Sequence, residues 1–203
     1  MTQDATAPDD VTGIILAGGR SSRFGSDKLA VDIEGRSMLQ RAVDAVATVA
    51  PRILIVLAPG APRPAVAAGH SEIDILYDET PYGGPLAGLG IALAFARTSV
   101  ALVAGGDMPW MVPAVLERLV STVGPGHEAV HLDVPDRLQP VPMALAVAPA
   151  RVAVRELLER DERSLRGLLQ RLAASSIPAH VWLSLDPGGL TITDIDRPSD
   201  LGS

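Results

Sequence analysis

The residues best suited to chemistry lie close together near the start of the chain, in the stretch GIILAGGRSSRFGSDK at positions 13–28. Arg20, Arg23 and Lys28 place three cations within nine positions, separated by glycine, small or polar residues and Phe24. On a glycine-containing loop, cations at that spacing suit the holding of a polyphosphate. Their long side chains neutralise its charge, and backbone N–H groups form an anion-binding concavity. Of the 17 Lys and Arg residues in the chain, Lys28 is the only lysine. In a sequence so biased toward arginine, a compact ammonium at one position marks a site that a rigid planar fork does not fill. Two common phosphate loops are excluded by spacing. Gly25 is followed by Ser26-Asp27 before the lysine, which breaks a Walker A pattern, and adjacent Gly18-Gly19 does not supply Gly-x-Gly-x-x-Gly.

Carboxylates form the second candidate group. Asp107 follows an apolar run and Gly105-Gly106, and Met108-Pro109 limits how the chain leaves it. A carboxylate aimed at a polyphosphate is repelled unless a cation lies between them. Mg²⁺ is the natural cation, commonly held by one or two carboxylates plus substrate phosphates. A cap on the next helix is the other reading of Asp107. Asp78 follows a third apolar run, and Asp194 and Asp196 end the last one, as a further metal ligand or as caps. Arg137 and Gln139 are candidates to contact an acceptor substrate. Histidines 70, 127, 131 and 180 show no metal-ligand spacing.

These groups need a scaffold, and the apolar pattern predicts one. Residues 14–16 form a short buried strand that ends at Ala17-Gly18-Gly19, where small residues allow a tight turn near a ligand. Residues 29–33 read as a short strand and turn. Ser37 is placed to cap a helix over 38–49, and Pro51 stops it. Strands follow at 52–57, 73–77 and 100–104, with a largely apolar helix over 86–97 and another from Pro113 onward. The small residues Gly84, Ala87, Gly88 and Gly90 fit either close approach to a ligand or close helix–sheet packing. Strands alternating with helices predict a Rossmann-like, three-layer αβα fold with a mostly parallel central sheet. Ligands then bind beyond the carboxyl ends of the strands, where the cationic loop, Asp78 and Asp107 all fall. In the second half, a strand at 141–147 and helices at 150–159 and 165–172 are expected. The strands 181–185 and 190–195 are expected to pair as a hairpin around 186–189.

Composition bounds the rest. The 203 residues suit one domain, read as 11–203 behind a disordered leader at 1–10. Hydrophobic residues make up 47% and aromatics only 3%, so the core must be aliphatic. A net charge of −7 argues against a nucleic-acid surface. The absence of cysteine excludes disulfides, thiolate metal sites and cysteine nucleophiles. No apolar run approaches the roughly 18 residues of a membrane span. A cytoplasmic protein is expected.

Leu16-Ala17-Gly18-Gly19 followed by Arg23, Gly25 and Lys28 resembles the LAGG-x3-R-x-G-x2-K signature of sugar-nucleotide-type nucleotidyltransferases. Gly84-Pro85-Leu86-Ala87-Gly88, Gly106-Asp107-Met108-Pro109 and the ending from Thr193 to Leu201 narrow the likeness. Together they resemble the molybdenum cofactor guanylyltransferases. The resemblance implies transfer of GMP from GTP to the phosphate of molybdopterin, with Mg²⁺ and release of pyrophosphate. It implies that Leu16, Ala17, Gly18 and Gly19 hold the nucleotide and Lys28 its phosphates. It also implies a nucleotide contact at Asp78, a metal at Asp107, and transient contact with molybdoenzymes or other cofactor-synthesis proteins. The chain departs from the family in having no asparagine, with Ala58-Pro59 after the second strand. The attacking acceptor phosphate is already ionised at neutral pH, so no general base is required. Catalysis reduces to positioning and charge stabilisation by Lys28, Arg23, loop amides and the metal. The alternatives are a cytidylyltransferase on the same cofactor, a nucleotidyltransferase with another acceptor, and a nucleotide-binding assembly partner without turnover.

Overall fold

The computed structural model describes residues 10–18, 28–78, 83–195 and 200. Strand β1 (Val11–Ala17) is buried on both faces except at Leu16, as its run of apolar and β-branched residues requires. Lys28–Ala30 forms a 3-10 turn, so the expected short strand at 29–33 narrows to β2 (Asp32–Ile33). It pairs antiparallel with β3 (Arg36–Ser37). The Ser37 hydroxyl then accepts the Gln40 N–H at 3.1 Å and starts α1 (Met38–Ala47).

The next elements follow the expected alternation: β4 (Arg52–Leu57), β5 (Glu72–Tyr77), α2 (Gly84–Phe95), β6 (Val100–Gly105) and α3 (Pro113–Thr122). After them come β7 (Ala129–Leu132), β8 (Met143–Ala146), α4 (Val147–Glu159), α5 (Leu165–Arg171), β9 (Ala174–Ile177) and α6 (Ala179–Leu185). The seven-stranded sheet has the order β5-β4-β1-β6-β8-β7-β9. Strands β5, β4, β1 and β6 are parallel, β8 runs antiparallel to both neighbours, and β7 and β9 are parallel. One core lies under α1, α3 and α6, and the other under α2, α4 and α5. This is the three-layer αβα arrangement. No helix among the described residues is long and apolar enough to cross a membrane.

Topology decides where a ligand goes. The chain steps outward from β1 to β4 and β5, then returns to place β6 on the opposite side of β1. The order therefore reverses between β1 and β6, and a crevice opens beyond their carboxyl ends. Gly13 brings α1 close over this part of the sheet. A β-carbon there would stand 2.3 Å from Val46 Cγ1.

Two expected strands are corrected. Residues 181–185 belong to α6, which Pro178 precedes and whose Trp182 is buried, donating from Nε1 to the Asp133 carbonyl at 2.8 Å. Leu190–Ile192 is a 3-10 turn entered through Gly189 at φ 64°. The Asp186 carboxylate accepts the Thr191 N–H at 2.7 Å, so this segment folds back locally and forms no hairpin. A fixed tertiary contact for one large aromatic outweighs the β-propensity of Val-Trp-Leu. The sheet's far side comes instead from β7 and β9. Val147 starts α4 where the end of a strand was expected.

Candidate active site

A cavity of about 1150 Å³ opens at the carboxyl ends of the parallel strands. Leu16 and Gly18 reach it from β1, residues 56–59 from β4, Asp78 from β5, and Ala104, Gly105 and Asp107 from β6. Its other walls are the start of α2, Pro140-Val141, and residues 162–166 between α4 and α5.

Lys28 opens its 3-10 turn with only 9% of its surface exposed. Its Nζ donates to Asp107 Oδ2 at 3.1 Å, across 79 residues of sequence. The fold thus joins the one lysine to the carboxylate that ends β6. Asp107 is seated by its neighbours. The Gly106 N–H donates to the Leu16 carbonyl at 3.0 Å, tying the end of β6 to β1. A β-carbon at Gly106 would meet Leu39, Ala17 and Leu29 at 3.2–3.4 Å, and one at Gly105 would stand 2.6 Å from Asp107 Oδ1. Gly105 leaves room for the carboxylate to fold back over the strand end, and Gly106 lets Leu39, Ala17 and Leu29 close around it. The Asp107 carbonyl accepts the Ile195 N–H at 3.0 Å, so the closing segment crosses this point, and Ile195 packs with Ile33 and Met38.

The glycines of α2 divide between two tasks. A β-carbon at Gly88 would touch Val56 at 3.4 Å, and one at Gly90 would press on Val154 at 3.1 Å. Both serve packing, although Gly88 also borders the cavity. Gly84 adopts φ +76°, a left-handed conformation that favours glycine, and abuts Arg163. The Leu86 N–H donates to the Arg163 carbonyl at 3.2 Å, which fastens residues 162–166 against the start of α2.

Among the expected site residues, Leu16, Gly18, Asp78 and Asp107 line the cavity, and Lys28 joins them through Asp107. Ala17 is buried at the strand end and is not part of the lining. Gly19, Arg23 and Asp196 lie outside the described residues. Arg137 and Gln139 are not in the cavity wall, which Pro140 and Val141 supply. Sequence reasoning missed Glu162. Its Oε1 accepts the N–H groups of Arg163 at 2.9 Å and Ser164 at 2.8 Å. The Ser164 N–H, then its hydroxyl and the Arg163 N–H, hold the carboxyl below its ordinary range, against a small opposing effect of burial. The available signal was Ser164 as a helix cap with a carboxylate two residues before it.

Among the described residues no three His, Cys, Asp or Glu side chains cluster as a metal cage. A carboxylate at the edge of a cavity is nonetheless a donor that Mg²⁺ can use when the phosphates of a substrate complete its shell.

Comparison with known proteins agrees with the fold. The family described as MobA-like NTP transferase domain matches residues 13–176. A probable molybdenum cofactor guanylyltransferase of Chloroflexus aggregans is 31% identical, over 94% of this chain and 91% of its own. The crystal structure of molybdopterin-guanine dinucleotide biosynthesis protein A from Archaeoglobus fulgidus superposes with a TM-score of 0.70 at 21% identity, over 94% of each chain. A 2-C-methyl-D-erythritol 4-phosphate cytidylyltransferase from Thermus thermophilus also reaches 0.70, at 20% identity over 95% of each chain. The fold is therefore common to enzymes named for different nucleotides.

Proposed function

Since the chain belongs to the MobA-like NTP transferase domain family, we propose that it is a nucleotidyltransferase that transfers GMP from GTP to the terminal phosphate of molybdopterin. The observation that carries the reading is the Lys28–Asp107 pair at the β1/β6 switch point, on the edge of a nucleotide-sized cavity. The relative from Chloroflexus aggregans supports guanylyl transfer to the molybdenum cofactor. Leu16, Ala17, Gly18, Gly19 and Asp78 hold the nucleoside part, with Ala17 acting through the shape of the strand end.

In the reaction an oxygen of the acceptor phosphate attacks the α-phosphorus of GTP. A new P–O–P bond forms, the bond between the α- and β-phosphates breaks, and pyrophosphate leaves. No proton must be removed from the nucleophile, which fits a cavity wall with no histidine among the described residues. Lys28, sheltered from bulk water, neutralises charge on the phosphates more strongly than an exposed lysine would. Arg23 serves the same loop. Asp107 would hold Mg²⁺, with Asp196 as a weaker second ligand. When bound, the ion supplies charge neutralisation along the triphosphate. GTP is a cytoplasmic nucleotide, so the reaction belongs in the cytoplasm.

The test is pyrophosphate release with GTP, CTP, ATP and UTP in turn, with molybdopterin as acceptor and with and without Mg²⁺. Release with GTP and Mg²⁺ is expected. Preference for CTP would keep the chemistry and change the product, and no release with any nucleotide would overturn the enzyme reading.

A further inference from the structure

A third, small apolar cluster joins the chain segments that carry Lys28 and Asp107. Ile33, Met38 and Ile195 are buried in it, with Val31 and Trp110 packed against them. Val31 comes from the Lys28 side. Its N–H donates to the Lys28 carbonyl at 3.2 Å, and its carbonyl accepts the Met38 N–H at 2.9 Å. Trp110 comes from the Asp107 side, further along the same connection between β6 and α3. Ile195 comes from neither. Its side chain is fully buried in the cluster, and its own N–H donates to the Asp107 carbonyl at 3.0 Å. No other described backbone N–H donates to that carbonyl. One residue of the closing segment thus reaches both sides, by its side chain and by its main chain.

We propose that Ile195 is a positioning residue for the Lys28–Asp107 pair, setting where the Asp107 carboxylate stands relative to the nearly buried ammonium. This rests on the nucleotidyltransferase reading, in which Asp107 holds Mg²⁺ against phosphates that Lys28 neutralises. Strand β6 ends at Gly105 and α3 begins at Pro113, so no regular element carries Asp107. The Gly106 N–H ties the chain before it to the Leu16 carbonyl, and Ile195 ties it from the far side. A branched side chain enclosed by Ile33, Met38, Val31 and Trp110 cannot move without opening a void in close-packed surroundings. The N–H it carries is therefore a fixed point. Misplacing a catalytic group by about 1 Å costs on the order of a hundredfold in rate, even when the change lies away from the chemistry. Ile195 is not in the cavity wall and acts through Asp107.

Calorimetry on the full chain tests this without turnover. GTP is titrated with Mg²⁺ and again with EDTA, and the ratio of the two affinities reads the metal's share of binding. Ile195→Ala should lower that ratio about tenfold, the scale of losing a group that orients a metal ligand. Ile195→Val, which keeps most of the apolar fill, should restore it. Ile33→Ala opens the same cluster from β2 and should lower the ratio in the same direction, which decides the matter if Ile195→Ala does not fold. Leu93→Ala is the control, since Leu93 is also buried but sits in the last turn of α2, at the end away from the cavity. It should lose stability and keep the wild-type ratio. In the Asp107→Asn background Ile195→Ala should add no further loss, because both act through one carboxylate. A wild-type ratio in Ile195→Ala and Ile33→Ala would overturn the proposal and leave Ile195 as packing. So would an equal fall in Leu93→Ala, or a full further loss on top of Asp107→Asn. Wild-type protein that binds GTP equally with and without Mg²⁺ would overturn the proposal and leave the nucleotide site standing. Wild-type protein that binds no nucleotide in either condition would overturn the nucleotidyltransferase reading and the proposal with it.

Discussion

Lys28 Nζ and Asp107 Oδ2 stand 3.1 Å apart at the point where the strand order reverses, with 11% and 35% of their side chains exposed. The two residues come from different βα units, and under the proposed function each meets a triphosphate in a different way. Lysine attracts the phosphates directly. Aspartate repels them until a divalent cation intervenes.

Replacing Lys28 should therefore disable transfer without unfolding the protein. Lys28→Ala is expected to lower the rate of pyrophosphate release by about a hundredfold or more, the scale of losing one preorganised donor. Lys28→Arg should fail to restore it, because a planar fork does not occupy a nearly buried ammonium site. Turnover close to wild type in either variant would remove Lys28 from the chemistry.

Asp107→Asn keeps the shape of the side chain and removes its charge. Half-saturating Mg²⁺ should rise by roughly 10–100-fold, the range associated with weakening a metal site. The measurement is initial rate against Mg²⁺ concentration at fixed GTP. An unchanged metal dependence would make Asp107 a structural residue at the end of β6.

A third expectation concerns the sheet beneath the site. With Val46 Cγ1 only 2.3 Å from a β-carbon at position 13, Gly13→Ala should cost about 1–3 kcal/mol through overpacking. Val46→Ala removes that contact, so the cost of Gly13→Ala should shrink markedly in its presence. Urea midpoints for the four corners of the double-mutant cycle read the coupling. Additive effects would mean that the cost of Gly13→Ala does not arise from Val46.

This contact also shows what the sequence could and could not reveal. Apolar runs bounded by Gly and Pro located β1, β4, β5 and β6, and from them the carboxyl ends beyond which Lys28, Asp78 and Asp107 fall. That much follows from local pattern, because parallel strands buried on both faces carry their own signal. The strand order that makes a switch point there came only from the structure. Gly13 sits inside such a run and offered no sign that α1 would press on it. In the second half the signal fails for physical reasons. Ala174-Ser-Ser-Ile177 is a half-exposed edge strand whose serines resemble a loop. Residues 181–185 resemble a strand until Trp182 finds its place against the sheet. Glu162 was illegible as a site residue, since only the contact between the α4–α5 connection and α2 brings it to the cavity.

Acid stability offers a fourth expectation. The folded carboxyl of Glu162 titrates below its ordinary value of 4.5, chiefly through the Ser164 N–H. A depressed carboxylate contributes stability that is present above the unfolded value and is lost as pH falls through the folded one. Glu162→Gln cannot titrate, so its stability should fall less steeply than wild type below about pH 4.5. Urea midpoints across that range test this, and parallel curves would show that the hydrogen bonds do not favour the ionised form.

The last expectation joins the closing segment to the core. Trp182 is 2% exposed, and its indole N–H donates to the Asp133 carbonyl just beyond β7. Trp182→Phe keeps most of the apolar bulk and deletes the donor, leaving a carbonyl without its partner. The expected cost is about 1–3 kcal/mol. Trp182→Ala should cost about 3–5 kcal/mol, because a large cavity opens under α6. The segment beyond α6 passes through Thr191, whose hydroxyl accepts the Val112 N–H, to Ile195 on the Asp107 carbonyl. Trp182→Phe therefore also tests whether the segment matters to the site. Thermal unfolding should register the loss of stability, while half-saturating Mg²⁺ stays at the wild-type value. A rise in that value with little loss of stability would mean that α6 holds the carboxyl end of β6 in place.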